Sequence, residues 1–286
     1  MIQLQNLRQI KIRIKSIENT RKITRAMEMV SASKLNRSKG SFYSIRPYVG
    51  ALEVMMRDLL SDSPEVKSSL LQKREHIKNT ALCVVTSDTG LCGAYNNNML
   101  RYAEKFITDL QSPAVSIIAV GKEAYTYFLK KGFRVDGSYL GLYGRCSSNI
   151  SNTIAGDLTG IFTRHEADEV YIAYTRFNPS LQHVPTVEKL LNIEPDRQVK
   201  NHYIFERSAQ AILDSLLPVY ISCKIDAIIA EAFTSEHSAR MLAMKTATDN
   251  AQDLIEQLTL ARNKARQFAI TKEVLEIAAS AEALKG

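Results

Sequence analysis

The stretch MKTATDNAQDLIEQLTLARNKARQF, Met244–Phe268, decides the reading of this chain. Met244, Ala247, Ala251, Leu254, Leu258, Ala261, Ala265 and Phe268 recur in strict three-four steps, the signature of a coiled-coil seam. Alanine at half of these positions lets a partner helix approach closely and predicts a slender shaft. The stretch lies inside residues 219–285, which contain neither Gly nor Pro. As one helix they would extend on the order of 100 Å at about 1.5 Å per residue. Residues 1–39 are equally free of Gly and Pro. No other stretch is long enough to cover the C-terminal helix, so the two ends are expected to pair.

At the N-terminal end Leu7, Ile10, Ile14 and Ile17 form the matching seam. It weakens through Glu18-Asn19-Thr20-Arg21-Lys22, after which Ile23, Met27 and Val30 continue a looser apolar face. Gly40 and then Arg46-Pro47 predict a bend, with a short further helix from Val49 to Leu60 that ends at Ser61-Asp62-Ser63-Pro64. The C-terminal helix is expected to start near Phe205 and to bend at Pro218.

From Thr80 the period changes. The apolar run Ala81–Val85, ending in Ser87-Asp88-Thr89-Gly90, reads as a buried parallel strand and its turn. Strands at 115–120 and 170–174 and an edge strand at 186–191 follow. Helices at about 97–110, 122–131 and 148–165 lie between them. This alternation predicts an open α/β sheet covered on both faces.

Composition narrows the function. With 45% hydrophobic residues the chain can bury a large core, and no Trp with 7% aromatics suits helices packed through aliphatic side chains. No apolar run approaches the roughly 20 residues of a membrane span. MIQLQNLRQIKIRIK lacks the h-region of a secretory signal. Cys83, Cys92, Cys146 and Cys223 lack metal-ligand spacing and point to a reducing compartment. Residues 1–40 hold ten Lys or Arg against Glu18 and Glu28, an excess larger than the +7 of the whole chain. Such a helix favours an acidic partner.

The motifs of catalysis are thin. Thr89-Gly90-Leu91-Cys92-Gly93-Ala94 stands between strand and helix, where phosphate loops occur, but it is not G-x-G-x-x-G, and the second strand ends in Gly121-Lys122-Glu123 rather than a ribose-binding acid. The glycines read as a tight strand-to-helix turn, and Asp88 as a turn former. His76, His165, His183, His202 and His237 are scattered, and His165-Glu166 lacks the second His of a zinc helix. No G-x-S-x-G elbow is present. No aromatic residue precedes Phe42, so the basic helix offers no base-stacking platform. No catalytic, cofactor-binding or metal residues are therefore expected. A dinucleotide-binding oxidoreductase with helical extensions and a nucleic-acid-binding coiled coil are the rival readings.

Three further groups of residues are more specific. They are Ile23–Lys34 (ITRAMEMVSASK), Gly90–Asn96 (GLCGAYN), and the C-terminal series Ser235–Met241, Ala247–Ala251, Asn263–Gln267 and Ile270–Ile277. In this order, along essentially the whole chain, they resemble the γ subunit of F-type ATP synthases. The chain departs from the family pattern at Ser280 and at Asn178-Pro179. The resemblance implies a long antiparallel coiled coil, with residues 1–60 pairing with 205–286, and an open, mostly parallel Rossmann-like α/β domain at 77–200. It implies a central rotor stalk subunit without an active site or cofactor, coupling c-ring rotation to conformational change at catalytic β sites for ATP synthesis or hydrolysis.

The implied partners are the α3β3 hexamer of F1, the ε subunit and the c-ring of Fo, with no nucleic acid and no direct membrane insertion. The implied location is peripheral, on the cytoplasmic face of a bacterial inner membrane. By motif, Lys22, Arg25 and Met27 would face an acidic loop of β, and Arg266 and Gln267 would form an upper contact with β. Arg46, Tyr48, Tyr203 and Arg207 would contribute to c-ring and ε contacts. The plastid version of the family carries a cysteine-bearing regulatory insert, and this sequence has none.

Overall fold

The computed structural model describes residues 7–63, 65–74, 76–110, 114–145, 147–178, 183–193 and 208–283. The elements run α1 (Leu7–Asp62), β1 (Asn79–Val85), α2 (Tyr95–Asp109), β2 (Ala114–Val120), α3 (Lys122–Lys130), β3 (Arg134–Tyr139), α4 (Ser148–Thr163), β4 (Glu169–Arg176), β5 (Val184–Leu191) and α5 (Ala209–Ala283). The chain divides into two compact units. One comprises residues 1–30 and 241–286, the other residues 31–240.

The short further helix expected from Val49 to Leu60 is not separate, because α1 continues through Gly40 and Pro47 to Asp62. Pro47 removes one i→i−4 hydrogen bond. Within the larger unit, however, Leu35, Phe42, Val49, Leu52, Met56 and Leu59 bury one face of the helix, while Gly40 and Pro47 lie on the exposed face. Packing of that face outweighs the local cost. Pro218 is likewise carried inside α5, between buried Leu217 and Tyr220. Phe205 lies outside the described residues.

The larger unit is built on a five-stranded sheet of order β3-β2-β1-β4-β5. The pairs β1–β2, β1–β4 and β2–β3 are parallel, and only the edge pair β4–β5 is antiparallel. β3 was not legible in the sequence. Its residues RVDGSY alternate between exposed and half-buried, as suits an edge strand without an apolar run.

Alternate residues of the inner strands face opposite layers, the period-2 rule of a pleated strand. Leu82, Val84, Ile117 and Ala119 pack with Met99, Leu100 and Ala103 of α2 and Ala124 and Phe128 of α3. On the other face Ala81, Cys83, Val85, Ile118 and Val120 pack with Ile154, Leu158 and Phe162 of α4 and with this unit's parts of α1 and α5. The strand order reverses between β1 and β4. That is the switch point, where α/β sheets open a crevice at their carboxyl ends.

Candidate functional site

In the coiled-coil unit the two helices run antiparallel. The Thr248 hydroxyl donates to Thr24 Oγ1 at 2.8 Å, and Arg21 donates to Gln252. Moving back along α1 thus moves forward along α5. Leu7, Ile10, Ile14, Ile17, Arg21, Thr24 and Glu28 are buried or half-buried in α1 here and form an unbroken heptad seam whose last three members are polar, with Glu18 and Met27 half-buried on its flank. Of Ile23, Met27 and Val30, read from sequence as the continuing apolar face, Met27 is half-buried, while Ile23 and Val30 are 61% and 57% exposed. The α5 seam is also shifted on one flank. Met244, Ala247, Ala251, Leu258, Ala261 and Ala265 are covered as expected, but Ile255 and Ala269 are covered while Leu254 and Phe268 stand in the open.

Polar layers at 21/252 and 24/248 fix alignment in a way that apolar contacts cannot, since only one register satisfies them. Beside them lies a groove of about 570 Å³ lined by Arg21, Lys22, Arg25, Ala26, Met29, Thr248, Asp249 and Gln252. Three cations against one carboxylate make it electropositive. Lys22 and Arg25 are exposed, and Met27 is half-buried next to them. Arg25 pairs with Glu28 at 3.1 Å on the surface, a pair worth no more than about 1 kcal/mol. Arg266 and Gln267 are both exposed on α5.

In the sheet unit Arg46 is exposed with its guanidinium 5.7 Å from the Phe42 ring centroid, and Tyr48 is exposed on the same helix. Tyr203 and Arg207 lie outside the described residues.

The crevice at the switch point is filled by the protein itself. Arg240 Nη2 donates to the Thr89 carbonyl at 2.9 Å and to Thr89 Oγ1 at 3.0 Å, while Nε donates to the Gly90 carbonyl at 3.3 Å. Its Nη1 pairs with Glu236 at 2.7 Å. The Tyr95 hydroxyl donates to the Ala232 carbonyl at 3.0 Å, and Cys92, Tyr95 and Ala239 form a small buried cluster. At the end of β4 the Phe177 amide donates to Glu231 at 3.0 Å, and its ring packs edge-on to Phe42. The loop where a phosphate would sit thus spends its carbonyls on a guanidinium.

Asp88, read from sequence as a turn former, bridges distant loops instead. Its carboxylate accepts the amides of Lys122 (3.0 Å), Gly141 (3.1 Å) and Tyr143 (2.8 Å), tying together the loops after β1, β2 and β3. Gly121 makes this possible. It has φ +97°, and a Cβ there would lie 2.3 Å from the Thr86 carbonyl oxygen.

His237 is buried with Nε2 3.2 Å from the Gly144 carbonyl. A Cβ on Gly144 would come within 2.4 Å of the imidazole. Burial holds the His237 pKa down at about 4. The Gly144 hydrogen bond opposes this, and the Arg240 and Lys34 charges reinforce it. Burial pushes the Glu236 carboxyl up, and Arg240 pulls it back. Sequence reading missed this cluster, although the polar run Thr234–Ser238 inside an otherwise apolar part of the helix was its signal.

Among the described residues no group of three His, Cys, Asp or Glu could hold a metal ion, and no helix is long and apolar enough to cross a membrane. The family described as ATP synthase matches residues 6–284. The ATP synthase gamma chain of Chloroflexus aurantiacus is 40% identical over 284 residues, covering 97% of this chain and 98% of that protein. That of Chlorobium limicola is 36% identical over 287 residues, covering 98% and 99%. Among solved structures, a chain of the Euglena gracilis mitochondrial ATP synthase, in OSCP/F1/c-ring, rotational state 3, superposes with TM-score 0.69 at 16% identity. It covers 97% of this chain and 94% of the other, and carries the fold. With identity at this level along nearly its full length, the chain belongs to the ATP synthase gamma-chain family.

Proposed function

We propose that the antiparallel coiled-coil unit of this gamma chain is the working surface of a rotor shaft, turning within an α3β3 hexamer and passing torque to catalytic β sites. The chain is a non-catalytic subunit of the ATP synthase central stalk. The single observation that carries the contact reading is the electropositive groove beside the polar-layered seam. A shaft that meets several equivalent partners in one turn needs contacts that form and release readily. Exposed cations facing acidic loops act at range, and each costs little to separate. Lys22, Arg25 and Met27 are assigned to a lower contact with β, and Arg266 and Gln267 to an upper one.

Arg46, Tyr48, Tyr203 and Arg207 are assigned to contacts with the c-ring and an ε subunit. The complex is membrane-bound. We place this chain on the cytoplasmic face of a bacterial plasma membrane, in keeping with the bacterial relatives it matches.

The test is reconstitution with α and β subunits. Arg25→Glu should weaken the coupling of ATP hydrolysis to ion pumping most at low salt, with the deficit shrinking as salt rises. A deficit that ignores salt would refute an electrostatic contact. Arg266→Ala with Gln267→Ala should lower ATP turnover while the isolated chain stays folded, and unchanged turnover would remove their role.

A further inference from the structure

A helix buried on all sides is ordinarily apolar. Residues 232–240 of α5 are buried all round, yet Thr234, Ser235, Glu236, His237, Ser238 and Arg240 are polar. The Ser235 and Ser238 hydroxyls and one Glu236 oxygen find no hydrogen-bond partner. Such a segment costs stability rather than adding to it, because a buried ion pair seldom recovers its desolvation. Buried polar groups do specify register, since only one alignment satisfies them.

Here every guanidinium nitrogen of Arg240 is engaged, two of them on backbone carbonyls of the loop after β1, about 150 positions away in sequence. Of the three non-glycine residues with positive φ among the described residues, Leu91 (63°) and Tyr143 (49°) lie in the two loops that Arg240 and His237 hold. Uncommon backbone conformations of this kind persist only where surrounding contacts over-determine them.

We propose that Arg240 is a positioning residue: its fork on the Thr89 and Gly90 carbonyls pins α5 in the switch-point crevice, so that the helix cannot slide or roll against the sheet under load. The proposal rests on the rotor-shaft reading. Apolar packing is non-directional and yields to shear, whereas hydrogen bonds to fixed carbonyls lose their geometry within a fraction of an ångström. The crevice that α/β folds use for a phosphate ligand serves here as a socket for the protein's own helix.

The experiment uses the full ATP synthase carrying Arg240→Lys or Arg240→Ala. Lys keeps the charge beside Glu236 but cannot span both carbonyls. Lys245→Ala, an exposed position on α5, is the control. Both Arg240 variants should assemble and hydrolyse ATP, while ions pumped per ATP fall roughly tenfold for Ala and less for Lys. Amide exchange over residues 89–93 should quicken in both. If Arg240→Ala fails to assemble, Arg240→Lys decides.

Full coupling with unchanged exchange in Arg240→Lys overturns the proposal. Equal loss of hydrolysis and pumping also overturns it, because that marks a merely structural role. A wild-type chain that does not assemble with α and β would instead defeat the rotor-shaft reading.

Discussion

Replacing His237 with Gln should remove an acid-sensitive step from the stability of the sheet unit. Because a carbonyl only accepts, Nε2 must carry the hydrogen toward Gly144, and Nδ1 then faces Arg240 Nη1 at 3.4 Å as an acceptor. Protonating Nδ1 would set a second cation against Arg240 in a site where His237 is 1% exposed. Lys34 adds to the repulsion, and the Glu236 carboxylate is already paired with Arg240.

Above pH 6.5 the imidazole is neutral in both folded and unfolded chains. Below it the unfolded chain takes up a proton that the folded chain refuses until about pH 4. Stability from this group is therefore complete above 6.5 and lost as pH falls through that window. At 1.36 kcal/mol per pH unit the loss reaches about 3 kcal/mol. Gln keeps a donor for Gly144 and an acceptor for Arg240, but it does not titrate.

Urea unfolding of the two chains from neutral pH down to about 4, followed by circular dichroism, gives the comparison. Carboxylates elsewhere contribute alike to both, so the stability difference should swing toward the Gln variant by about 3 kcal/mol as pH falls. Parallel pH profiles would refute the buried neutral imidazole.

Thr24→Cys combined with Thr248→Cys should form a disulfide under mild oxidation, because the two hydroxyls already touch at 2.8 Å. If both helices turn as one body, the oxidised complex should retain ATP turnover, and reduction should change nothing. A chain that does not cross-link would contradict the pairing register. Phe162→Ala should cost about 3–5 kcal/mol, read as a fall in the urea midpoint, because the ring is fully buried and also underlies the Arg74 guanidinium at 4.6 Å. A loss below about 1 kcal/mol would mean that α4 is not packed as described.

The heptad step was legible because Met244, Ala251, Leu258 and Ala265 recur whichever flank is covered. The choice between Leu254 and Ile255, or Phe268 and Ala269, was not. Three-four and four-three spacings fit the same residues, and only the partner helix decides between them. On α1 hydropathy misled in part. Ile23 and Val30 attracted the seam but are exposed, while Arg21, Thr24 and Glu28 are covered beside Met27, their polar groups or aliphatic stems serving the interface.

Pro47 failed as a helix breaker because tertiary packing on the opposite face outweighed it. The parallel strands announced themselves as apolar runs, and β3 could not, lying at an edge with Asp136 and Gly137 in it. Arg240 and His237 were invisible as a site because their partners, Thr89, Gly90 and Gly144, are about 100 to 150 residues distant and contribute mostly backbone carbonyls, which no sequence displays.

The most direct measurement is the native mass of what this chain forms when co-expressed with α and β subunits. One copy of the chain with three α and three β, active in ATP hydrolysis only as that assembly, is the predicted result. A chain that remains alone, or that hydrolyses ATP by itself, would contradict it.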